Sequence, residues 1–315
     1  MSEKSIRIST VDEFRGFAIA SMILVNFLAQ YKAPSIFHHS EITGLTFTDI
    51  VAPLFVFIIG LMYRKSYLRR VSLDGRAKTW THFIKRYSLL GVIGFIITLV
   101  LEGHIRFEWG VLQTIGLAGI ITLPFIESNY FIRASTSLIA LGIYQTLLLS
   151  NYKDVILSTS HGGPIAAISW SSIILLSSVA YDLIDFEKIK HSIRKLILFG
   201  FPLLAVGITF SKFIPISKNQ VNISYITVSI AISVLFLAAF MVTNNFLCIS
   251  IPTFKTLGQN ALLIYIIHSF LVEASHFILP EASPTILVIA GLCITYSILC
   301  IFAILLNKKN IILKL

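Results

Sequence analysis

The sequence predicts an all-α, polytopic membrane bundle of about ten transmembrane helices with both termini in the cytosol, and three observations carry that reading. Of 315 residues, 56% are hydrophobic and only 13% are charged, whereas a soluble domain carries about 25% charged residues. Mean hydropathy is +0.86. Apolar runs of bilayer-spanning length recur along the whole chain, and none alternates with period two as barrel strands would. Backbone in lipid must satisfy its own hydrogen bonds, so these runs are helices.

The runs extend over Phe14 to Gln30, Phe47 to Tyr63, Tyr87 to Leu101, Gly110 to Ile126, Ala134 to Ser150, Ile165 to Tyr181, Leu196 to Phe213, Ser224 to Thr243, Leu257 to Ser275 and Thr285 to Leu306. An even number of spans puts both termini on one side. With that side in the cytosol, only Lys32, Arg106, Lys153, Lys212 and Lys218 of the 25 Lys and Arg fall outside, as the positive-inside bias requires. The net charge of +10 is then a consequence of topology and of anionic lipid, and no nucleic-acid partner is needed. The first run lacks a persuasive small-residue cleavage site and reads as a retained anchor. Cys248, Cys293 and Cys300 have no metal-ligand spacing, so no metal is expected. The chain reads as one integral membrane domain, 1–315. Its longest inner loop is expected over Arg64 to Arg86, with a turn at Leu73-Asp74-Gly75 and a basic rim that could hold an anionic ligand.

Polar residues at membrane depth are costly and point to interior cavities, so they are the candidates for function. Asp12 and Arg15 stand three apart at the expected start of the first helix and can pair. Asn26 lies about 16 Å beyond Arg15 at the helical rise, where its amide could bond another helix or donate to a carbonyl oxygen gaining charge. His39 precedes the second span and Asp49 falls in its first turn. An imidazole accepts a proton near neutral pH, and a carboxylate on its other nitrogen fixes the tautomer. His38 competes for the same role, and sequence physics does not choose between the two. Glu102, His104, Arg106 and Glu108 precede Trp109-Gly110-Val111-Leu112-Gln113, a polar and aromatic cluster suited to sugars or to interfacial anchoring. Asn260 opens the ninth span and His268 lies within it, where it should face the bundle interior.

These residues carry a resemblance. Val11-Asp12-Glu13-Phe14-Arg15-Gly16, then Asn26, then His39 with Gly44-Leu45-Thr46 and Asp49, then Pro53 to Gly60, resemble the catalytic domain of heparan-alpha-glucosaminide N-acetyltransferases, in the wider transmembrane acyltransferase superfamily. Arg106 with Gly110 to Gln113, Gly162-Gly163-Pro164, Ile214 to Asn219 with Ser224-Tyr225, and Leu257 to Asn260 with Tyr265 and His268 resemble later motifs in the same order.

The resemblance implies an enzyme that moves acetyl from cytosolic acetyl-CoA to the amino group of a glucosamine-like sugar on the far side of the membrane. It maps the catalytic histidine onto His39 and the following aspartate onto Asp49. His39 would be general base, or acetyl carrier with ping-pong kinetics, oriented by Asp49, and Asn26 would support the oxyanion. The charged end of CoA would rest among Arg15, Arg69, Arg70, Lys85 and Arg86, with its pantetheine arm running past Asn260 and His268. The chain departs from the family pattern at Ile42, at Thr114 and in a two-residue longer loop before His39. Those departures, and a compact Ile-, Ser- and Lys-rich chain suited to a prokaryotic plasma membrane, point to a surface glycan, amino sugar or glycolipid as acceptor. Nothing marks a dimer face, although membrane enzymes of this size often pair. The competing class is a transporter in which Asn26, Asp49 and His268 line a permeation or proton path.

Overall fold

The computed structural model describes residues 3–102 and 109–311. His104, Arg106 and Glu108, and the side chain of Glu102, lie outside the described residues. Among the described residues twelve α-helices run in the order α1 (Glu3–Leu28), α2 (Phe47–Asp74), α3 (Arg76–Glu102), α4 (Val111–Thr122), α5 (Tyr130–Leu148), α6 (Lys153–Leu157), α7 (Gly163–Asp182), α8 (Ile189–Ser211), α9 (Ile223–Asn245), α10 (Pro252–Gln259), α11 (Ala261–Ile278) and α12 (Thr285–Lys308). No strand occurs among the described residues. Eight of the described helices are long and apolar enough to cross a membrane: α2, α3, α5, α7, α8, α9, α11 and α12. The other two expected spans lie on α1, which carries Asp12, Glu13 and Arg15 in its apolar stretch, and on α4, which has only 12 residues.

Three expectations about boundaries change. The Arg64 to Arg86 segment is not a loop, because α2 and α3 both continue through it and meet at Gly75. A chain reversal in a single residue needs left-handed backbone, and Gly75 supplies it at φ 78° without Cβ strain. At 28 and 27 residues these helices are about 42 and 40 Å long, against a hydrocarbon core of about 30 Å, so the basic residues sit on a helical hairpin extending beyond the span. Secondly, α1 begins at Glu3, so the Asp12 to Gly16 motif lies well inside the helix and not at its start. Thirdly, the ninth expected span is broken at Asn260, whose φ of −118° and ψ of 37° are not helical. The eight residues of α10 reach only about 12 Å and add no span. His268 therefore stays near the middle of α11, which is itself long enough to cross.

The chain forms two compact units. The first comprises Met1–His39, Thr46–Phe55 and Leu237–Leu315, and its best-defined contact is α1 against α10. Gly16 and Gly258 bring the two backbones together so closely that a Cβ at Gly16 would lie 1.7 Å from the Phe254 carbonyl oxygen, and one at Gly258 would lie 1.9 Å from that of Asp12. Charges on α1 then hold both ends of α10. Glu13, buried, accepts from Ser250 Oγ at 2.7 Å and from the Ile251 N–H at 3.3 Å at the N-terminal end. Arg15 Nη1 donates to the Gly258 carbonyl at 2.9 Å near the other end. An anion at the start and a cation at the finish both oppose the helix dipole favourably.

The second unit comprises Ser40–Leu45 and Val56–Phe236, with α7 at its centre. Ser169, Ser171, Ser172, Ser177 and Ser178 are all buried along α7. Their hydroxyls bond main chain: Ser172 Oγ donates to the Ser137 carbonyl at 3.0 Å, and Ser137 Oγ returns a bond to the Ser172 carbonyl at 3.3 Å. Small satisfied residues allow helices to approach closely where lipid supplies no hydrophobic drive. The fully buried Arg133 of α5 donates to Asp182, to Ser178 Oγ at 2.7 Å and to the Ser128 carbonyl at 3.1 Å, and Arg64 shares Asp182 at 3.4 Å. Such a charge is tolerated because its donors are satisfied. Replacing Arg133 with leucine is expected to leave Asp182 to the longer Arg64 contact, take the buried donors from Ser178 and the Ser128 carbonyl, and lower stability by about 3 kcal/mol, read as a drop in detergent melting temperature.

In the turn between α4 and α5, Glu127 accepts from Arg76 at 2.7 Å and from Tyr67 Oη at 3.1 Å. The Arg76 guanidinium holds the Glu127 carboxyl below its ordinary range, against the opposing effect of partial burial. A depressed folded value means that this pair stabilises the fold above the ordinary carboxyl range and ceases to do so as pH falls through the folded value. The pair is largely open to solvent, so the effect is small. Melting curves from pH 6 down to pH 3 should show Glu127→Gln losing less stability on acidification than the parent.

Candidate active site

The site begins at the N-terminus of α2. Thr46 is the residue before the helix and Asp49 lies in its first turn, the Thr-x-x-acid spacing of a capping box. Asp49 Oδ2 accepts from the Thr46 N–H at 3.0 Å, and the Thr46 hydroxyl lies 3.1 Å from the same oxygen and 2.8 Å from the His38 carbonyl. The carboxylate sits where the helix dipole favours an anion. Its other oxygen, Oδ1, is 2.8 Å from His39 Nδ1.

That contact settles which nitrogen is which. A carboxylate only accepts, so Nδ1 carries a hydrogen, and in the neutral imidazole Nε2 keeps its lone pair. The Asp49 side chain is fully buried whereas that of His39 is 48% exposed, so the partner is fixed and the free nitrogen is accessible. Asp49 is paired with His39, not His38. The sequence reading names Thr46 only within the Gly44-Leu45-Thr46 motif and gives it no role, although the Thr-x-x-Asp spacing was a usable signal for one.

Deeper in the same unit, Asn26 of α1 and His268 of α11 meet at 3.0 Å between Nδ2 and Nε2. His268 is buried, its Nδ1 bonds the Tyr265 carbonyl, and the Tyr265 ring stacks on Phe55 at 5.9 Å. Asn26 is exposed although Val25 and Phe27 on either side are buried. An amide facing hydrocarbon would be costly, so the exposed side of Asn26 belongs to a polar space.

The expected binding residues are distributed differently from one another. Arg15 is engaged with the Gly258 carbonyl and lies 3.5 Å from Asp12. Asn260 is buried at the α10–α11 break, where its Nδ2 donates to the Ile311 carbonyl at 3.0 Å. Both therefore have architectural partners. On the α2–α3 hairpin, Arg69 and Lys85 are exposed, and Arg70 pairs with Asp74 at 3.0 Å. Arg86 lies over the rings of Phe83 and Tyr87 at 5.9 and 5.8 Å, with a buried Nε that has no hydrogen-bond partner. Two of these four cations are open and one keeps an unused buried donor, a set that fits a phosphate-bearing ligand.

A bundle of apolar helices that holds a tautomer-locked histidine on a capping carboxylate, and an amide on a buried histidine, defines a multi-pass membrane protein with the equipment of a transferase. Residues 7–161 match the family described as heparan-alpha-glucosaminide N-acetyltransferase, catalytic. That stretch, which contains Asn26, His39 and Asp49, is similar to the catalytic domain of this acyltransferase family. No curated protein matches the chain.

Proposed function

We propose that the protein is a transmembrane acetyltransferase, which takes acetyl from acetyl-CoA on the cytosolic side and places it on the amino group of an amino sugar, or the glucosamine-like end of a surface glycan, on the other side of a prokaryotic plasma membrane. The observation that carries this reading is the His39–Asp49 pair, 2.8 Å apart within the family-matched stretch. Asp49 holds the Nδ1–H, which leaves Nε2 as the base.

The acceptor nitrogen bonds to the acetyl carbonyl carbon, and His39 Nε2 takes the proton that the nitrogen sheds. Charge gathers on the carbonyl oxygen, where an Asn26 N–H is the donor. The carbon–sulfur bond then breaks, and His39 returns the proton to the departing sulfur. In the alternative route Nε2 itself carries the acetyl between donor and acceptor. Denatured enzyme that retains radiolabelled acetyl at position 39, after exposure to donor without acceptor, would select that route.

Arg69, Arg70, Lys85 and Arg86 would hold the phosphates of acetyl-CoA, while the thioester supplies the activated acetyl. Reversing the charge of Arg69 and Lys85 together is expected to raise the KM for acetyl-CoA about tenfold with little change in kcat, the signature of lost ground-state binding. The test of the whole reading is thiol release by the detergent-purified protein with acetyl-CoA and glucosamine or a panel of amino sugars. Folded protein that releases none overturns it.

A further inference from the structure

Resting on the acetyltransferase reading, we infer that His268 is a positioning residue for Asn26, locking its amide in the one orientation that aims an N–H at the reacting carbonyl, and is not a contact for the pantetheine arm. Hydrogen-bond direction carries this. The Tyr265 carbonyl oxygen faces His268 Nδ1, and a carbonyl only accepts, so Nδ1 bears the hydrogen. His268 Nε2 is then a bare acceptor. The Asn26 atom 3.0 Å away is Nδ2, the donor end of the amide. Flipping that amide would set its oxygen against a lone pair, and changing the tautomer to suit would set Nδ1 against the Tyr265 oxygen. With the imidazole neutral, only one arrangement satisfies all the groups.

The surroundings hold the ring. Tyr265 lies against His268 at 5.2 Å between centroids, and Phe55 stacks on Tyr265 at 5.9 Å. Ser269 Oγ donates to the same Tyr265 carbonyl at 3.0 Å. His268 is only 1% exposed, which leaves almost no surface for a passing ligand. Asn26 is exposed. One hydrogen of its amide is spent on His268, and the second is left with a defined direction. The buried histidine orients, and the exposed asparagine meets the reactant.

The test compares His268→Leu with His268→Gln in the full-length purified protein. Glutamine can donate to the Tyr265 carbonyl while accepting from Asn26, whereas leucine fills the volume and can do neither. Loss of an aligning contact costs about 10- to 100-fold in rate, so the leucine variant should lose kcat to that extent with the KM for acetyl-CoA unchanged. The glutamine variant should recover most of the loss. An unchanged kcat in folded His268→Leu, or a raised KM with kcat intact, overturns the inference. So does a loss that glutamine does not repair, because the restored acceptor for Asn26 would then not be what turnover needs; an asparagine that merely joins two helices would lower stability and leave the kcat of folded His268→Leu unchanged.

A second readout needs no activity. Nitrogen-15 NMR of histidine-labelled protein, with the His268 signal assigned by its loss in the glutamine variant, should show Nδ1 protonated and Nε2 bare. The opposite tautomer overturns the inference even where the leucine variant does not fold. If wild type releases no thiol from acetyl-CoA, the acetyltransferase reading fails, and the tautomer still tests the His268–Asn26 geometry separately.

Discussion

Replacing His39 with alanine is expected to lower acetyl-CoA thiol release by about 10²- to 10⁴-fold, the range that general-base catalysis supplies, without unfolding the protein. Its side chain is 48% exposed and bonds Asp49, so little packing is lost. His38→Ala should stay close to wild type, because the part of His38 engaged in the site is its main-chain carbonyl, which accepts from Thr46. Asp49→Asn should be nearly as damaging to turnover as His39→Ala. An asparagine can satisfy the Thr46 N–H or the His39 Nδ1–H with its single oxygen but not both, and its amide hydrogens invite the wrong imidazole tautomer. Equal activity of His39→Ala and wild type would remove His39 from the chemistry.

Gly16→Ala is expected to produce the largest loss of stability of any single methyl group added to this chain. The added carbon would lie 1.7 Å from the Phe254 oxygen and 2.7 Å from its Cα, so the obstacle is backbone of α10, which cannot rotate aside. Overpacking ordinarily costs about 1–3 kcal/mol, and here α10 must also separate from Glu13 and Arg15, which hold its two ends. A fall in melting temperature or in the yield of monodisperse protein in detergent measures it. Gly91→Ala, with nothing within 4 Å of the added carbon, is the matched control. Similar behaviour of the two variants would mean that the α1–α10 contact contributes nothing.

The helical membrane class was legible because it depends on composition and run length, which the bilayer reads almost residue by residue. That His39 can reach Asp49 was legible for a local reason, although the same spacing left His38 open and the structure made the choice. The two residues are ten apart and the second lies in a helix's first turn, so chain connectivity keeps them close. The Arg64 to Arg86 segment was misread because charged residues end an apolar run without ending a helix, and Arg, Lys and Leu are good helix formers. The break at Asn260 was hidden for the converse reason. Nothing in Leu257-Gly258-Gln259-Asn260-Ala261 forbids a helix, and the interruption comes with distant partners, the α1 backbone against Gly258 and the Ile311 carbonyl on Asn260.

The sequence by itself determined that the chain is a helical membrane protein, roughly where its spans lie, and that a histidine before the second span has a carboxylate within reach, since each of these follows from local composition or spacing; that the histidine is His39 and not His38 came from the structure. Only the tertiary structure decided that Glu13 and Arg15 hold the two ends of α10, that Asn26 finds His268 some 240 residues away, and that one tautomer satisfies both ring nitrogens. Those facts depend on pairs distant in sequence that packing brings within 3 or 4 Å. Hydrogen-bond direction, which fixes the site's protons, exists only once both partners are in place.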